Sequence, residues 1–225
     1  NQIGVETSFE GQLIEVKPYL DTVSKILTVE SDWSSASYFY SIIALSSVGT
    51  QINLSTYKKD SLQGDAVLQA IYKQLGVTTT FVGSNINLKK TTTQLPDCLN
   101  LDLANAPDIA QTIVVSCLGL QVNCNLTGLH TLKIKETDRL EALKNEINKF
   151  GTAIEITNDS LHLLNPKLLT PNAIIETYND HRMAMAFAPL ALRTEFSIKE
   201  AEVVSKSFPD FWENLKQLGF NTTES

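Results

Sequence analysis

Three stretches of the chain repeat one order of hydrophobic and polar positions. Each starts with an aspartate before a helix that is apolar almost all round, which is typical of a buried helix. A short β-like run follows, and then an amphipathic helix that ends at a glycine, where a left-handed C-cap fits. In the first two stretches a pair of alternating runs comes next and predicts a hairpin. The predicted elements are the aspartates Asp32, Asp108 and Asp180, the buried helices 36–47, 109–118 and 182–192, the β-like runs 52–56, 124–129 and 196–200, the glycines Gly76, Gly151 and Gly219, and the paired runs 79–82 with 86–88 and 153–156 with 161–164.

The repeating unit is therefore α-β-α-β-β, at a period of about 70 residues. This period is too long for a solenoid and favours units packed round a common axis, with helices inside and sheets outside. A strand pair at 3–9 and 13–16 precedes the first copy, and the third copy ends near Phe220. We expect the chain to be part of a longer protein, because it opens within a predicted sheet and carries neither an initiator Met nor a signal peptide. A polar stretch at 57–64, YKKDSLQG, marks a candidate domain boundary.

Composition excludes several classes of protein. The 225 residues are 43% hydrophobic, which is enough for one sizeable core or two smaller ones. The net charge of −7 argues against a partner that is nucleic acid or an anionic membrane surface, and no apolar run is long enough to span a bilayer. The three cysteines, Cys98, Cys117 and Cys124, show neither a disulfide framework nor zinc-site spacing, so we expect a reducing, cytoplasmic compartment.

Three cations fall at predicted helix N-termini, where the helix dipole disfavours them by up to about 1 kcal/mol. They are Arg139, Arg182 and Lys206. An anion held between them would reverse that cost, because N-terminal amides and cations both attract it. Alternatively, each cation simply pairs with a neighbouring acid, such as Glu136 or Asp180.

The densest charge cluster is the run 133–139, KIKETDR. It is either the solvated start of a helix capped by Thr137 or Asp138, or a site with a carboxylate held between cations and poised for proton transfer. His181 is a candidate proton carrier or a capping-turn histidine. The other two histidines lack metal-ligand spacing, so no metal site is predicted. The sequence also lacks a Gly-rich phosphate loop and a GxSxG elbow.

Several of these stretches closely resemble the 5-enolpyruvylshikimate-3-phosphate synthase family. The stretches are KETDRL at 135–140, YNDHRMAM at 178–185, KSFPDF at 206–211, DWSSASY at 32–38, SLQGD at 61–65 and the pair Pro107-Asp108. They occur in order over most of the chain, and KETDR together with NDHRMAM is highly specific.

The resemblance implies an α/β (α+β) fold, an inside-out α/β barrel of βαβαββ units with pseudo-threefold symmetry and helices inside. It implies that residues 1–61 are the last part of an N-terminal globe and residues 62–225 a C-terminal globe. It also implies that an upstream half with further substrate-binding loops is missing.

The activity implied is transfer of the enolpyruvyl group of phosphoenolpyruvate to the 5-hydroxyl of shikimate 3-phosphate, with no metal or organic cofactor and by a monomer. By the match, Arg139, Arg182 and Lys206 bind phosphoenolpyruvate, and Ser35, Tyr38, Asp108 and Lys135 contact shikimate 3-phosphate. Asp108 and Glu136 are the candidate proton-transfer carboxylates, with Lys135 assisting and His181 a further candidate.

Two alternatives stay open: transfer to a UDP-sugar by a sister enzyme with the same fold, and a binding module without catalysis of its own. Two positions depart from the family pattern. Thr131 stands where many members have Asn, which puts one contact to the acceptor in doubt. Pro189 falls inside the third buried helix and should kink or end it.

Overall fold

A computed structural model describes residues 3–19, 24 and 26–223. The chain divides into two compact units, one before Ser31 and one from Ser31 onward. This division precedes the predicted boundary after residue 61, because helix α1 (Trp33–Leu45) packs against helix α3 (Ala110–Leu120) within the second unit. The assignment of 1–61 and 62–225 to two globes stays a prediction.

The first unit contains one antiparallel hairpin, formed by β1 (Thr7–Glu10) and β2 (Leu13–Val16). All eight of these strand residues are exposed, and Phe9 and Ile14 lie opposite each other in the ladder. A two-stranded hairpin with both faces in water is marginally stable at best. Its apolar side chains therefore lack the burial that would stabilise it within this unit.

The second unit is a mixed α/β structure. Its other helices are α2 (Leu68–Gln74), α4 (Arg139–Lys149), α5 (His181–Phe187) and α6 (Phe211–Gln217). Its strands are β3 (Gln51–Leu54), β4 (Val77–Val82), β5 (Asn85–Lys90), β6 (Cys98–Asp102), β7 (Asn123–Thr127), β8 (Ile154–Ile156), β9 (Leu161–Leu163), β10 (Ala173–Ile175) and β11 (Phe196–Ile198). They form three sheets of order β3-β5-β4, β6-β7-β9-β8 and β10-β11, in which the pairs β6–β7 and β10–β11 are parallel and the other pairs antiparallel.

Helices α1, α3 and α5 form the buried layer that the sequence predicts. Every residue of α1 except Ser35 is buried, and α3 contacts both α1 and α5. Polar groups between α1 and α3 satisfy one another, since the hydroxyls of Ser37 and Thr112 lie 3.0 Å apart and Ser116 donates to Ser41 at 2.8 Å. Small hydroxyl residues thus let the two helices pack closely while these hydroxyl groups pair with one another.

The predicted helix ends are confirmed. Gly76, Gly151 and Gly219 have φ angles of 82°, 84° and 92°, the left-handed conformation of a C-cap. Helix α5 ends at Phe187, and a 3-10 turn, Ala188–Leu192, carries the chain past Pro189.

The predicted hairpins are also confirmed, as β4–β5 and β8–β9. The hydrophobic pattern did not predict strands β6 and β10, which precede α3 and α5. Each pairs in parallel with the strand that follows the helix. No helix within the described ranges combines the length and hydropathy needed to cross a membrane.

Candidate active site

The N-terminal ends of α1, α3 and α5 meet at one place and bring most of the predicted site residues together. At the start of α1, Asp32 is the N-cap and accepts hydrogen bonds from the backbone N–H groups of Ser34 and Ser35 at 3.1 Å. The hydroxyl of Ser35 also donates to Asp32, at 2.9 Å. Ser35 is therefore held by its own helix cap, and it is the one residue of α1 that is not buried.

The loop 61–65 secures this helix end. The side-chain amide of Gln63 donates to the carbonyl of Ser31 at 3.0 Å and accepts from the backbone N–H of Trp33 at 2.9 Å. The hydroxyl of Ser34 donates to the carboxylate of Asp65. Burial raises the pKa of Asp65 above its usual range. Asp65 was not among the predicted site residues, although it lies in the SLQGD stretch that carries part of the family resemblance.

Asp108 lies in the 3-10 turn Pro107–Ile109 before α3, and three cations surround its carboxylate. The distances from the carboxylate oxygens are 3.0 Å to Arg139 Nη1, 3.3 Å to Arg182 Nη2 and 3.4 Å to Lys135 Nζ. Burial raises the pKa of Asp108, but Arg182, Arg139 and Lys135 lower it by more, so it lies below its usual value. Asp108 is therefore ionised at neutral pH and can accept a hydrogen bond from a substrate hydroxyl.

Arg139 is the first residue of α4 and its side chain is only 1% exposed. Besides Asp108, its guanidinium binds Asp180 through Nε at 2.7 Å and Glu136 through Nη2 at 2.6 Å. The pairing with neighbouring acids that the sequence left open is thus present at this residue. Four charge-assisted hydrogen bonds to three carboxylates hold this guanidinium as a rigid part of the site wall.

Arg182, at the start of α5, has looser contacts. Besides Asp108, its guanidinium donates to the backbone carbonyl of Asp108 at 3.4 Å and to the hydroxyl of Ser34 at 3.5 Å. These bonds lie at the long end of the range for N–H donors. Arg182 and Lys135, whose side chain is 35% exposed, are therefore the site cations with the most capacity to bind an incoming anion.

The position predicted for Lys206 is wrong. It was placed at the N-terminus of the last helix, but α6 begins five residues later, at Phe211, and Lys206 ends the 3-10 helix Ala201–Lys206. Its Nζ donates instead to the side chain and backbone carbonyl of Asn179, at 2.7 Å and 3.1 Å. Asn179 immediately precedes Asp180, the N-cap of α5, so Lys206 still lies next to the start of that helix.

Two site residues are shaped by burial. Burial raises the pKa of Tyr38 to about 12, so its phenol stays protonated at neutral pH, and its ring packs edge-on against Phe211 at 5.7 Å. Burial lowers the pKa of His181 below its usual value, which keeps the imidazole neutral at pH 7. Its Nδ1 is buried without a hydrogen-bond partner among the described residues, as is the hydroxyl of Thr131.

Glu136, Asp180 and His181 are the one group of possible metal ligands found in the described part of the chain. The guanidinium of Arg139 already binds both carboxylates, and Asp180 also accepts the backbone N–H of Arg182 at 2.9 Å. A protein cation thus already neutralises part of the negative charge of this group. Asp180 was predicted as a helix cap and as a possible partner of a neighbouring cation. Its contact with Arg139, 41 positions away, has no local signal in the sequence.

Comparison with known proteins identifies the family of this site. The family model for EPSP synthase (3-phosphoshikimate 1-carboxyvinyltransferase) matches residues 1–215, nearly the whole chain. The chain belongs to the EPSP synthase family. The resemblance carried by the KETDR and NDHRMAM stretches is thereby confirmed.

Curated relatives within this family support the match. A 3-phosphoshikimate 1-carboxyvinyltransferase of Bacteroides fragilis strain YCH46 is 44% identical over 217 residues, which are 95% of this chain and 52% of the relative. One from Neisseria meningitidis strain FAM18 is 31% identical and is covered to 45%. The chain therefore spans about half the length of the curated relatives it matches.

A solved structure shows the same fold. EPSP synthase from Acinetobacter baumannii superposes with a TM-score of 0.76 at 24% identity, over 95% of this chain and 52% of that one. This likeness places the mixed α/β arrangement within the fold of the EPSP synthase family.

Proposed function

We propose that this chain is the C-terminal portion of an enzyme that transfers the enolpyruvyl group of phosphoenolpyruvate to the 5-hydroxyl of shikimate 3-phosphate. Family membership and the names of the curated relatives support the reaction class. The observation that carries the proposal is the ionised carboxylate of Asp108, held within 3.4 Å of three cations at the meeting point of the helix ends. A reaction between two phosphate esters needs such cations, and a hydroxyl nucleophile needs such an acceptor.

The reaction moves protons at three points: from the 5-hydroxyl, to C3 and later from C3. The 5-oxygen bonds to C2 of phosphoenolpyruvate while its proton leaves and C3 gains a proton, which gives a tetrahedral adduct. The adduct then loses phosphate from C2 and a proton from C3, which leaves the enolpyruvyl ether. Asp108 and Glu136 are the proposed proton carriers, with Lys135 assisting Asp108 across 3.4 Å. His181 is a weaker candidate, because it is neutral and its Nδ1 is buried.

We propose that different residues of the site bind the two substrates. Arg139, Arg182 and Lys206 are the proposed ligands of phosphoenolpyruvate, and the loose contacts of Arg182 leave it the most capacity for a new anion. Shikimate 3-phosphate would contact Lys135 and Asp108 and, on α1, Ser35 and Tyr38. The partly exposed position of Ser35 in an otherwise buried helix supports this role.

The proposed architecture is the inside-out α/β barrel of βαβαββ units with pseudo-threefold symmetry. The buried layer of α1, α3 and α5 and the repeated strand-helix-strand order support it. The chain would work as a monomer joined to an N-terminal half of the same protein. That half would offer a surface to the exposed β1–β2 hairpin. The three free cysteines are compatible with the reducing cytoplasm proposed as its location.

The test measures phosphate release from phosphoenolpyruvate by the complete protein, with shikimate 3-phosphate or UDP-N-acetylglucosamine as the acceptor. Release with the shikimate ester alone is the expected result. Release with the sugar nucleotide alone would keep the donor cations but overturn the acceptor contacts at Ser35, Tyr38 and Lys135. No phosphate release with either acceptor, from folded protein, would overturn the proposed reaction.

The 225-residue chain by itself should bind shikimate 3-phosphate weakly at best and turn nothing over, because part of the cleft would be absent. In isolation it would be a binding module. Repeated turnover by the purified chain would contradict this proposal and would place every group that the reaction needs within residues 1–225.

A further inference from the structure

A cavity of about 530 Å³ lies at the other ends of the buried helices, away from the candidate active site. It is lined by the last turns and caps of α1 and α3, at Ser46, Gly119 and Gln121, and by Arg193, which caps the turn after α5. The candidate active site lies at the N-terminal ends of the same helices. Since α3 has 11 residues and α1 has 13, the two places are roughly 16 to 20 Å apart. The cavity volume is within the range of small-molecule sites.

Among the residues that the structure describes, three cations and no carboxylate line this cavity. They are Lys90, Lys167 and Arg193. In the part of the chain that the structure describes, neither Lys167 nor Arg193 forms an ion pair. Both are exposed at the rim, whereas Lys90 is only 2% exposed.

The buried lysine carries an electrostatic cost. Its Nζ donates a hydrogen bond to the carbonyl of Leu75 at 2.8 Å, the one partner it has among the described residues. Burial, and then the charge of Arg193, lower the pKa of Lys90 to about 8. A bound anion would relieve both effects, because it would solvate the ammonium group and screen it from the guanidinium.

The negative charge of the helix C-termini is too small to balance the three cations of this cavity. Each helix C-terminus carries about half a negative charge, so α1 and α3 together contribute about one, against three positive charges from the side chains. The cavity therefore keeps an excess of about two positive charges for a ligand. The remaining wall is largely apolar and is formed by Leu95, Leu120, Leu168 and Leu169. Leu168 is 82% exposed, so its side chain is accessible to a ligand at this wall.

We propose that this cavity binds a small organic anion, with a carboxylate or phosphate group held by Lys90, Lys167 and Arg193 and an apolar body against the leucines. The inference is independent of the proposed enzymatic function, because it uses none of the residues of the candidate active site. A ligand here would contact the ends of the same helices whose other ends form that site.

The test titrates the protein with three probes and follows backbone amide resonances by NMR. Benzoate has a carboxylate and an apolar ring, benzamide has the ring without the charge, and inorganic phosphate has the charge without the ring. Benzoate should bind saturably and should change the chemical shifts of the amides of Gly119 and Gln121, not those of His181 and Arg182. Benzamide and phosphate should each bind at least about fivefold more weakly, since each lacks one half of the recognition.

The variant Lys167→Gln/Arg193→Gln should weaken benzoate about fivefold or more, because both side chains are exposed and can be changed without disturbing the core. Lys89→Gln is the matched control, since Lys89 lies next to Lys90 on the other face of β5 and outside the cavity lining. It should leave benzoate binding unchanged. Any of four results would overturn the proposal. Phosphate or benzamide could bind as tightly as benzoate, the amide of Gly119 could show no saturable shift, or the double variant could bind benzoate as tightly as the wild type does.

Discussion

The contact between Arg139 and Asp180 makes a strong prediction about stability. Asp180→Asn removes one negative charge from a fully buried pair whose atoms lie 2.7 Å apart. Asparagine caps a helix as well as aspartate does, so the N-terminus of α5 should stay capped. Breaking a buried ion pair costs about 3–5 kcal/mol when the remaining charge is left uncompensated. Here Glu136 and Asp108 still neutralise Arg139, so we expect a loss of about 2–3 kcal/mol.

The assay is urea unfolding followed by the fluorescence of the buried Trp33. With a slope of about 2–3 kcal/mol per molar urea, the midpoint of Asp180→Asn should fall by about 1 M. Asp138→Asn is the matched control, because Asp138 caps α4 through two backbone N–H groups and forms no ion pair among the described residues. Its midpoint should stay within about 0.2 M of the wild type. Equal midpoints for the two variants would refute the reasoning that the charge of Asp180 holds Arg139 in place.

Three further predictions concern the site and the fold. Arg182→Ala in the complete enzyme should raise the KM for phosphoenolpyruvate by about 10- to 100-fold, as loss of a charge-assisted bond costs about 1.5–3 kcal/mol, while an unchanged KM would make Arg182 structural. Asp108 has a lowered pKa in the folded state, so its charge contributes stability above the unfolded pKa of about 3.9 that is lost as pH falls through the folded value. Asp108→Asn should therefore lower the urea midpoint more at pH 7 than at pH 3, and an equal drop at both would contradict this. Gly128→Ala should lower the thermal stability by more than Gly83→Ala does. Both glycines have positive φ, but only at Gly128 would the new Cβ lie 2.4 Å from a backbone atom, whereas Gly83 has open space. Equal losses of stability would show that the clash is relieved.

The local structure was largely predictable, because its signals lie within a few residues of one another. Asp32 and Asp180 cap the helices where the pattern places them, and Gly76 and Gly151 end helices in the left-handed conformation. Pro189 ends α5 as its missing N–H requires. The strands β6 and β10 were not predicted because neither belongs to a hairpin: each pairs in parallel with the strand that follows the next helix, so no turn marks it in the sequence.

The site was predictable as a set of residues, but its pairing was not. The sequence brought Arg139, Arg182 and Asp108 into one site through family motifs. It could not show that Arg139 is bound tightly by carboxylates while Arg182 is only loosely bound, because the contacts of Arg139 with Asp108 and Asp180 and of Arg182 with Asp108 join residues 31 to 74 positions apart. The start of α6 was misplaced for a related reason. Pro209 fits a first helical position, yet the helix starts at Phe211, whose ring packs on Tyr38 in the core.

The measurement that tests the central claim most directly is identification of the product by NMR. The complete protein is incubated with phosphoenolpyruvate and shikimate 3-phosphate, and the vinyl protons of the product are assigned. The account predicts an enolpyruvyl ether at the 5-oxygen together with one equivalent of inorganic phosphate. Phosphate release with pyruvate in place of the ether, or an ether at another oxygen, would contradict the roles proposed for Asp108 and its three cations.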